Sequence, residues 1–276
     1  MLTLRNEIKM SGIGLHSGER SVLHLRPCGR AGIFFRGKNG LSPTADAVVE
    51  EDSRLTGFSL PNGVTVRTGE HLLAAVAGMG LEAVEIELDG PEVPIMDGSA
   101  YCFAEAIKEC GFEETAGDAV RTAVSCPIAV SEKNGERLAV ALPAENLSVT
   151  YVIDYPGTPI GTQSVKYDIT PDVFYNIISK ARTFGLTYEL GFLKENGLAK
   201  GGSLENALIF DDRGPVVEQK LRFPLECVTH KVIDLLGDLT LAGPVPVGHY
   251  IAVAAGHSTH GKLVRRLKAQ YGYKNN

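Results

Sequence analysis

The sequence contains no tryptophan, and aromatic residues make up 7% of its 276 positions. It therefore offers no tryptophan platform on which sugar rings or bases could stack. An excess of basic residues is also missing, because 27 lysines and arginines stand against 33 aspartates and glutamates, a net charge of −6. Proteins that bind nucleic acid usually carry the opposite balance. We therefore expect no nucleic-acid partner.

A disulfide framework and a membrane span are both unsupported. The five cysteines are odd in number and form no Cys-x-x-Cys pair, which favours a reducing compartment. Residues 1–19 contain no apolar stretch typical of a signal peptide. The uncharged stretch 239–261 is interrupted by Pro244 and Pro246, a pattern typical of a loop followed by a buried strand. We expect a cytoplasmic protein without stable membrane insertion.

Several common functional motifs are absent. The sequence has no Gly-x-Ser-x-Gly elbow, no His-Glu-x-x-His pair and no Walker-type phosphate loop. Gly12, Gly14 and Gly18 do not have the spacing of the dinucleotide-binding fingerprint. The sequence therefore gives no support to a dinucleotide-binding or phosphate-loop protein.

The order of predicted elements indicates an α+β protein of two similar domains. Hydrophobic residues make up 44% of the sequence and charged residues 22%, a balance that supports a packed core. Each half runs through strands, a helix, a strand and a helix without regular alternation. The acidic segment 113–118 is the best linker candidate. We predict domains at residues 1–117 and 118–276, each a β-sheet plus helices.

Hydrophobic periodicity places the individual elements. The predicted strands are residues 20–25, 32–35, 83–88, 123–130, 137–142, 147–154 and 250–255. The predicted helices are residues 69–78, 99–110, 171–182, 188–196, 228–239 and 261–270. We expect Thr68 to cap the first helix and Gly111 to end the second.

Two pairs of residues have the chemistry of a metal site. His230 and Asp234 stand four apart, which places both side chains on one face of a helix, and both are good zinc ligands. The alternative is a hydrogen-bonded helix pair. His71 follows Glu70 at a predicted helix start, where the histidine could hold an ion while the carboxylate reaches its bound water. The alternative is an acidic residue that favours the helix dipole.

A third candidate, His257, follows an apolar strand and a glycine, a common place for a working side chain. The alternative is a surface histidine at a turn, which is the expectation for His260. We interpret three further residues as structural: His24, His249 and Cys227. The residues alone thus indicate a possible zinc site of two histidines and an aspartate with a glutamate beside it.

Seven sequence blocks, taken in order, resemble one enzyme family. They are GIGLHSG at 12–18, TGEHLLAA at 68–75, VPIMDGSA at 93–100, ARTFG at 181–185, KGGSLENA at 200–207, HKVIDLLGDL at 230–239 and GH at 256–257. This series is similar to the UDP-3-O-acyl-N-acetylglucosamine deacetylases of lipid A biosynthesis in Gram-negative bacteria. The resemblance covers residues 5–267, and residues 53–56 match only loosely.

The resemblance implies a fold and a mode of action. Each domain would pair a β-sheet with helices, and the two helical layers would be sandwiched between the sheets. Each domain would carry a small insert, one at the site entrance and one, around residues 187–206, forming an apolar passage for an acyl chain. The protein would act as a monomer on a small-molecule UDP-acyl-glucosamine.

The resemblance also implies residue roles. The ligands of one catalytic Zn²⁺ per chain would be His71, His230 and Asp234. The catalytic groups would be Glu70 as general base, His257 as a second acid/base, Thr183 at the oxyanion and Asp238 orienting His257. The substrate-binding residues would be Lys231, Phe184 and His16. Asp97 lies in a family motif without an assigned role.

The implied reaction is zinc-dependent hydrolysis of the N-acetyl group of UDP-3-O-(3-hydroxyacyl)-N-acetylglucosamine, the committed step of lipid A biosynthesis. A zinc-bound water attacks the carbonyl after Glu70 takes its proton, giving acetate and the free amine. Either Glu70 or His257 protonates the leaving amine. One alternative is a zinc amidohydrolase or peptidase of different specificity. Another is a non-catalytic protein with a closed zinc site, against which Glu70 and an aspartate ligand argue.

Overall fold

The computed structural model describes residues 1–49, 56–216 and 219–271. Most of the loosely matching stretch at residues 53–56 therefore lies outside the described residues. Within the described ranges the chain forms two main β-sheets, two small sheets and α-helices. The fold is α+β, as the sequence predicts, whereas the boundary after residue 117 stays a prediction.

The first main sheet is built from the first half of the chain. Its strands are β1 (Leu2–Leu4), β2 (Ile8–Ile13), β3 (Arg20–Pro27), β4 (Gly32–Gly37), β5 (Gly40–Pro43), β9 (Ala83–Asp89) and β10 (Phe112–Glu114). The strand order is β10-β1-β9-β3-β2, with β4 pairing β9 and β5 pairing β4. Alternation along β3 buries Leu23 and Leu25 completely, because successive side chains point to opposite faces.

Between β5 and β9 the chain forms a small three-stranded sheet and a helix. The strands are β6 (Val48–Val49), β7 (Phe58–Ser59) and β8 (Thr65–Val66). The helix α1 (Glu70–Gly78) follows at once, and α2 (Tyr101–Cys110) follows β9. Gly111 ends α2 with a φ of 78°, a conformation that glycine adopts without strain.

The second main sheet comes from the second half. Its strands are β11 (Ile128–Glu132), β12 (Arg137–Leu142), β13 (Ser148–Tyr155), β14 (Gly161–Asp168) and β17 (His249–Val253). Their order is β11-β12-β17-β13-β14, and β13 runs parallel to β17 while the other pairs are antiparallel. The late strand β17 therefore lies in the middle of the sheet.

The remaining elements of the second half are helices and a two-stranded parallel sheet. They are α3 (Pro171–Asn176), β15 (Phe184–Leu186), α4 (Leu190–Glu195), β16 (Leu208–Phe210), α5 (Glu226–Leu239) and α6 (His257–Tyr271). The insert expected around residues 187–206 corresponds to the chain between β15 and β16, which includes α4. No helix in the described ranges combines the length and apolar character needed to cross a membrane.

Helices α1 and α5 pack against each other and join the two halves. Both are buried along nearly their whole length, as expected for helices covered on all sides. The approach is close because Gly237 in α5 has no side chain: a Cβ there would lie 2.1 Å from the backbone oxygen of Glu70. One continuous apolar core includes residues of both halves, such as Leu73 and Leu235.

Five predictions of local structure are wrong in part. The predicted strand at 123–130 begins only at Ile128, and Ala123 makes an isolated bridge with Val247. The predicted helix at 171–182 ends at Asn176 and continues as a short 3-10 turn. Residues 113–114 of the predicted linker pair with β1. The last helix begins at His257, four residues before the predicted start. The cap residue of α1 is Gly69 instead of Thr68.

Candidate active site

The start of α1 brings Glu70 and His71 into a buried position. Thr68 has a φ of 53° and does not cap the helix; its hydroxyl donates instead to the Glu92 carboxylate. Gly69 occupies the cap position, so no side chain caps this helix. The prediction of a Thr68 cap fails because a buried acceptor from a distant segment competes for the hydroxyl.

His71, His230 and Asp234 converge in the structure, and one ligand atom from each lies within 4.8 Å of the other two. His230 Nε2 lies 3.3 Å, and His71 Nε2 3.9 Å, from Asp234 Oδ1. All three residues are buried. The hydrogen-bonded pair on α5, considered as an alternative, is therefore part of a larger cluster that includes a residue of α1.

The chemistry of this cluster fits a divalent cation such as Zn²⁺. Burial and the neighbouring His230 lower the pKa of His71 to about 3, so its imidazole is neutral and can be a ligand. His230 Nδ1 lies 3.0 Å from the Ala181 carbonyl oxygen; it donates there and leaves Nε2 free. Burial opposes ionisation of Asp234, but Lys231 and His230 hold its pKa well below the usual range.

Glu70 and His257 form an acid–base pair beside this cluster, with Glu70 Oε1 3.8 Å from His257 Nε2. Burial raises the pKa of Glu70 to about 7, and Asp234 adds to the shift. Burial opposes protonation of His257, but attraction to Asp238, a hydrogen bond with it and the charge of Glu70 raise its pKa to about 9. A carboxyl group and an imidazole whose pKa values are both shifted by their surroundings thus face each other.

Asp238 is hydrogen-bonded through both carboxylate oxygens. Its Oδ2 lies 2.9 Å from His257 Nδ1 and 2.7 Å from His260 Nδ1, and its Oδ1 accepts from the Thr56 hydroxyl. Burial opposes its charge, but His257 and His260 lower the pKa of Asp238 to about 2. The expectation of a surface position for His260 is wrong, because the side chain is completely buried.

A cavity of about 410 Å³ is lined by the His–His–Asp cluster, Glu70 and His257, whereas Asp238 and His260 lie outside its lining. Its wall also includes the other residues predicted from the resemblance: Thr183, Phe184, Lys231 and His16. Further apolar lining residues come from α4 and the chain after it: Leu190, Leu193 and Leu204. The cavity therefore combines a polar cluster with an apolar wall.

Thr183 and Phe184 are held at the cavity by a buried ion pair next to them in sequence. Arg182 Nε lies 2.9 Å from Glu226 Oε1, and Glu226 is fully buried at the start of α5. The backbone N–H of Thr183 donates to the Gly98 carbonyl at 2.7 Å. Phe184 presents its ring to His230 at a centroid distance of 6.4 Å. The start of α5 thus positions both cavity residues.

Lys231 lies between Asp234 and Phe184. Its Nζ donates to Asp234 Oδ2 at 2.7 Å and lies 5.5 Å from the Phe184 ring centroid. Burial opposes its charge, but Asp234 raises the pKa of Lys231. Lys231 is therefore a fixed positive charge in the cavity wall.

His16 is held by Glu92, which the sequence does not single out. Glu92 is fully buried and accepts from the backbone N–H groups of His16 and Ser17. Ala199 N donates to His16 Nδ1 at 3.3 Å. Burial lowers the pKa of His16, so the neutral ring faces the cavity. No local spacing signals Glu92, because its partners come from distant segments.

The residues interpreted as structural lie outside the cluster. His24 pairs with Glu7 and His249 with Thr150, and Cys227 is buried in the core. Asp97 accepts hydrogen bonds from Arg222 and Ser99.

The fold and the site together define a class: an α+β hydrolase-type protein whose buried His–His–Asp cluster and acid–base pair open into a largely apolar cavity. Residues 2–269 match the family described as UDP-3-O-acyl N-acetylglycosamine deacetylase. The chain therefore belongs to this family.

Named relatives agree with this assignment. A UDP-3-O-acyl-N-acetylglucosamine deacetylase of Myxococcus xanthus is 40% identical over 269 residues, covering 96% of this chain and 85% of the relative. A protein of the same name from Thermosynechococcus vestitus is 40% identical over 274 residues, covering 97% and 94%. One from Pseudomonas entomophila is 39% identical over 277 residues, covering 97% and 90%.

Proposed function

We propose that this protein catalyses zinc-dependent hydrolysis of the N-acetyl group of UDP-3-O-(3-hydroxyacyl)-N-acetylglucosamine, giving acetate and the free amine. Family membership over residues 2–269 supports the substrate class. The observation that carries the chemistry is the convergence of His71, His230 and Asp234 beside Glu70 in one cavity. We further propose that the protein acts as a monomer in the cytoplasm, at the committed step of lipid A biosynthesis.

His71, His230 and Asp234 would hold the zinc ion, since two neutral imidazoles and one carboxylate leave a position for water. When bound, zinc supplies Lewis acidity, which polarises an amide carbonyl and lowers the pKa of a bound water to about 7. The hydrogen bond from His230 to Ala181 fixes the ring that presents Nε2. The ion pair with Lys231 keeps Asp234 ionised.

Glu70 is the general base in this proposal. Its pKa of about 7 lets the carboxylate take a proton from water and remain ionised in a useful fraction at neutral pH. The backbone N–H of Thr56 donates to Glu70 Oε2 at 3.3 Å, which leaves Oε1 directed towards His257.

His257 is the general acid that protonates the leaving amine. Its pKa of about 9 means that it carries a proton at neutral pH before the reaction begins, whereas ionised Glu70 gains one only by taking it from water. Because Nδ1 is hydrogen-bonded to Asp238, the proton that faces the cavity is the one on Nε2. Asp238 thus fixes the orientation and charge of His257.

The remaining cavity residues bind the substrate. The Thr183 hydroxyl would donate to the oxyanion that forms on the acetyl group. The charge of Lys231 and the Phe184 ring suit a nucleotide sugar, and His16 adds a polar contact. The apolar wall from Leu190 and Leu193 suits an acyl chain.

Glu70→Gln tests the proposal. The amide keeps the shape of the side chain but cannot take a proton, so kcat for acetate release should fall by a factor of at least about 100 while zinc content stays unchanged. Glu145→Gln, an exposed glutamate in a loop, is the matched control and should behave like the unaltered protein. Acetate release and metal content are measured on the same preparations.

A substrate panel separates this function from its alternatives. UDP-3-O-acyl-N-acetylglucosamine should be deacetylated, and acetylated peptides should not. Peptide cleavage without reaction of the nucleotide sugar would favour a peptidase of different specificity. Unchanged turnover by Glu70→Gln would show that Glu70 is not the base.

A further inference from the structure

His260 is a buried histidine that the mechanism above does not use. Its side chain has 0% exposure, and a buried imidazole needs partners for its ring nitrogens. Nδ1 lies 2.7 Å from Asp238 Oδ2. Nε2 lies 3.0 Å from the Tyr151 hydroxyl. Both nitrogens of His260 are therefore engaged, one of them by the carboxylate that orients His257.

The Asp238 carboxylate determines the hydrogen-bond role of His260 Nδ1. An ionised Asp238 can only accept, so His260 Nδ1 carries a proton and donates to it. The Tyr151 hydroxyl also lies 2.9 Å from the Ala255 carbonyl oxygen, and it faces His260 Nε2 on its other side. The His260 ring is thus held between Asp238 and a tyrosine that is itself fully buried.

The first turn of α6 places two histidines on one carboxylate oxygen. His257 and His260 are three residues apart in the helix, so their side chains share a face. Their Nδ1 atoms lie 2.9 Å and 2.7 Å from the same Oδ2 of Asp238. The Thr56 hydroxyl binds the other oxygen. Three donors from two segments, two from α6 and one from Thr56, therefore fix the plane of this carboxylate.

We propose that His260 is a positioning residue, which holds the Asp238 carboxylate so that His257 keeps its Nε2 directed towards Glu70 and the leaving amine. Without the bond from His260, Asp238 could rotate about its side-chain axis and the His257 ring would follow. This inference rests on the proposed function of His257 and extends it to a residue that touches neither substrate nor metal ligands.

A pair of amide substitutions tests this role. In His260→Asn the amide nitrogen reaches roughly the position of Nδ1, so the donor to Asp238 is kept. In His260→Gln the amide reaches the region of Nε2 and the donor is lost. We expect His260→Gln to lower kcat by about 10- to 100-fold with KM changed less than about threefold, and His260→Asn to keep kcat within about threefold.

A double substitution separates positioning from general loosening of the fold. If His260 acts through His257, adding His260→Gln to the His257→Gln variant has no further effect on kcat. An equal fold-loss in both backgrounds would overturn the inference. His249→Gln is the matched control, since this histidine is in β17 and is hydrogen-bonded to Thr150 instead of Asp238; it should leave kcat unchanged.

The same assays distinguish failure of this inference from failure of the proposed function. Absence of deacetylation by the unaltered protein would remove the proposed function itself. An active unaltered protein with an equally active His260→Gln would remove only the positioning role. If His260→Gln does not fold, Tyr151→Phe replaces it: kcat should fall in the unaltered background and stay constant in His257→Gln, and equal losses in both would overturn the role.

Discussion

At the scale of single residues, the proposed mechanism assigns the pH dependence to Glu70 and His257. Glu70 acts as a base only after it loses its proton, and its pKa is raised to about 7 by burial. His257 acts as an acid only while it keeps its proton. Burial lowers the pKa of His257, but the attraction of Asp238 outweighs this effect and raises the pKa to about 9. The proposed reaction therefore needs Glu70 in its ionised form and His257 in its protonated form.

We predict a bell-shaped dependence of kcat/KM on pH. The value should rise with pH as Glu70 ionises and fall with pH as His257 loses its proton. The charge of a bound cation lowers the pKa of both groups, so the acidic limb should lie at or below about pH 7 and the basic limb at or below about pH 9. Initial rates of acetate release across the range provide the measurement.

Two variants test which residue causes each limb of the pH profile. The residual activity of Glu70→Gln should lack the acidic limb, and that of His257→Gln should lack the basic limb. If either limb persists unchanged in the variant that removes its group, the assignment of that limb is wrong.

At the scale of elements, the contact between α1 and α5 determines the site. Gly237 lies on α5 between Asp234 and Asp238 in sequence and against the backbone of Glu70 in space. Interior glycine weakens a helix by about 1 kcal/mol relative to alanine, yet here it permits the close approach of the two helices. Glycine at this position thus makes the packing of α1 on α5 possible, although it lowers the stability of α5 as an isolated helix.

Gly237→Ala should therefore destabilise the protein, although alanine is the better helix former. The new Cβ would lie 2.1 Å from Glu70 O, so α1 and α5 must separate, and we expect a loss of about 1–3 kcal/mol in the free energy of unfolding. Because Glu70 moves, kcat should fall as well. Chemical denaturation and acetate release are the two measurements.

Gly191→Ala is the control at the same scale. Gly191 is exposed in α4, and a Cβ there meets nothing within 4 Å. The same exchange should thus be neutral or stabilising by up to about 1 kcal/mol. Equal stability changes at the two glycines would contradict the close-contact argument.

At the scale of the whole molecule, the candidate zinc site joins the two halves of the chain. His71 belongs to α1, whereas His230 and Asp234 belong to α5. An ion that binds all three stabilises the folded chain, because the unfolded chain has no such site. Metal binding and the association of the two helices are therefore coupled.

Removal of the metal should abolish activity and lower the melting temperature by several degrees. Added Zn²⁺ should restore both. Chelator treatment followed by a thermal scan and an activity assay makes the measurement. In His71→Ala the melting temperature should no longer respond to the chelator. Full turnover by a preparation shown to be metal-free would contradict the zinc-dependent mechanism.

Much of the local structure could be predicted from the sequence. Alternation in β3 and β12 and apolar periodicity in α2 and α5 predict these elements with ends close to those observed. The spacing of His230 and Asp234 suffices to place them on one helix face. The family resemblance predicts further site residues by number, among them Thr183, Phe184 and His16, and the structure places these in the wall of one cavity.

Errors in the prediction have a common cause in long-range contacts. His260 resembles a surface histidine in sequence, because nothing near it shows that Asp238 and Tyr151 will enclose it. Thr68 has the residue type of a helix cap, but Glu92 takes its hydroxyl. Local patterns describe the chain within a few residues, whereas buried polar groups choose partners from the whole fold.

The sequence by itself determined the periodicities of strands and helices and the residue types that can bind a metal or move a proton. Only the tertiary structure decided which of them meet. Packing of α1 on α5 brings His71 to His230 and Asp234, and burial there shifts the pKa values of Glu70 and His257. The reason is physical: a side chain's chemistry is local, but its proton affinity depends on the solvent and the charges that the fold puts around it.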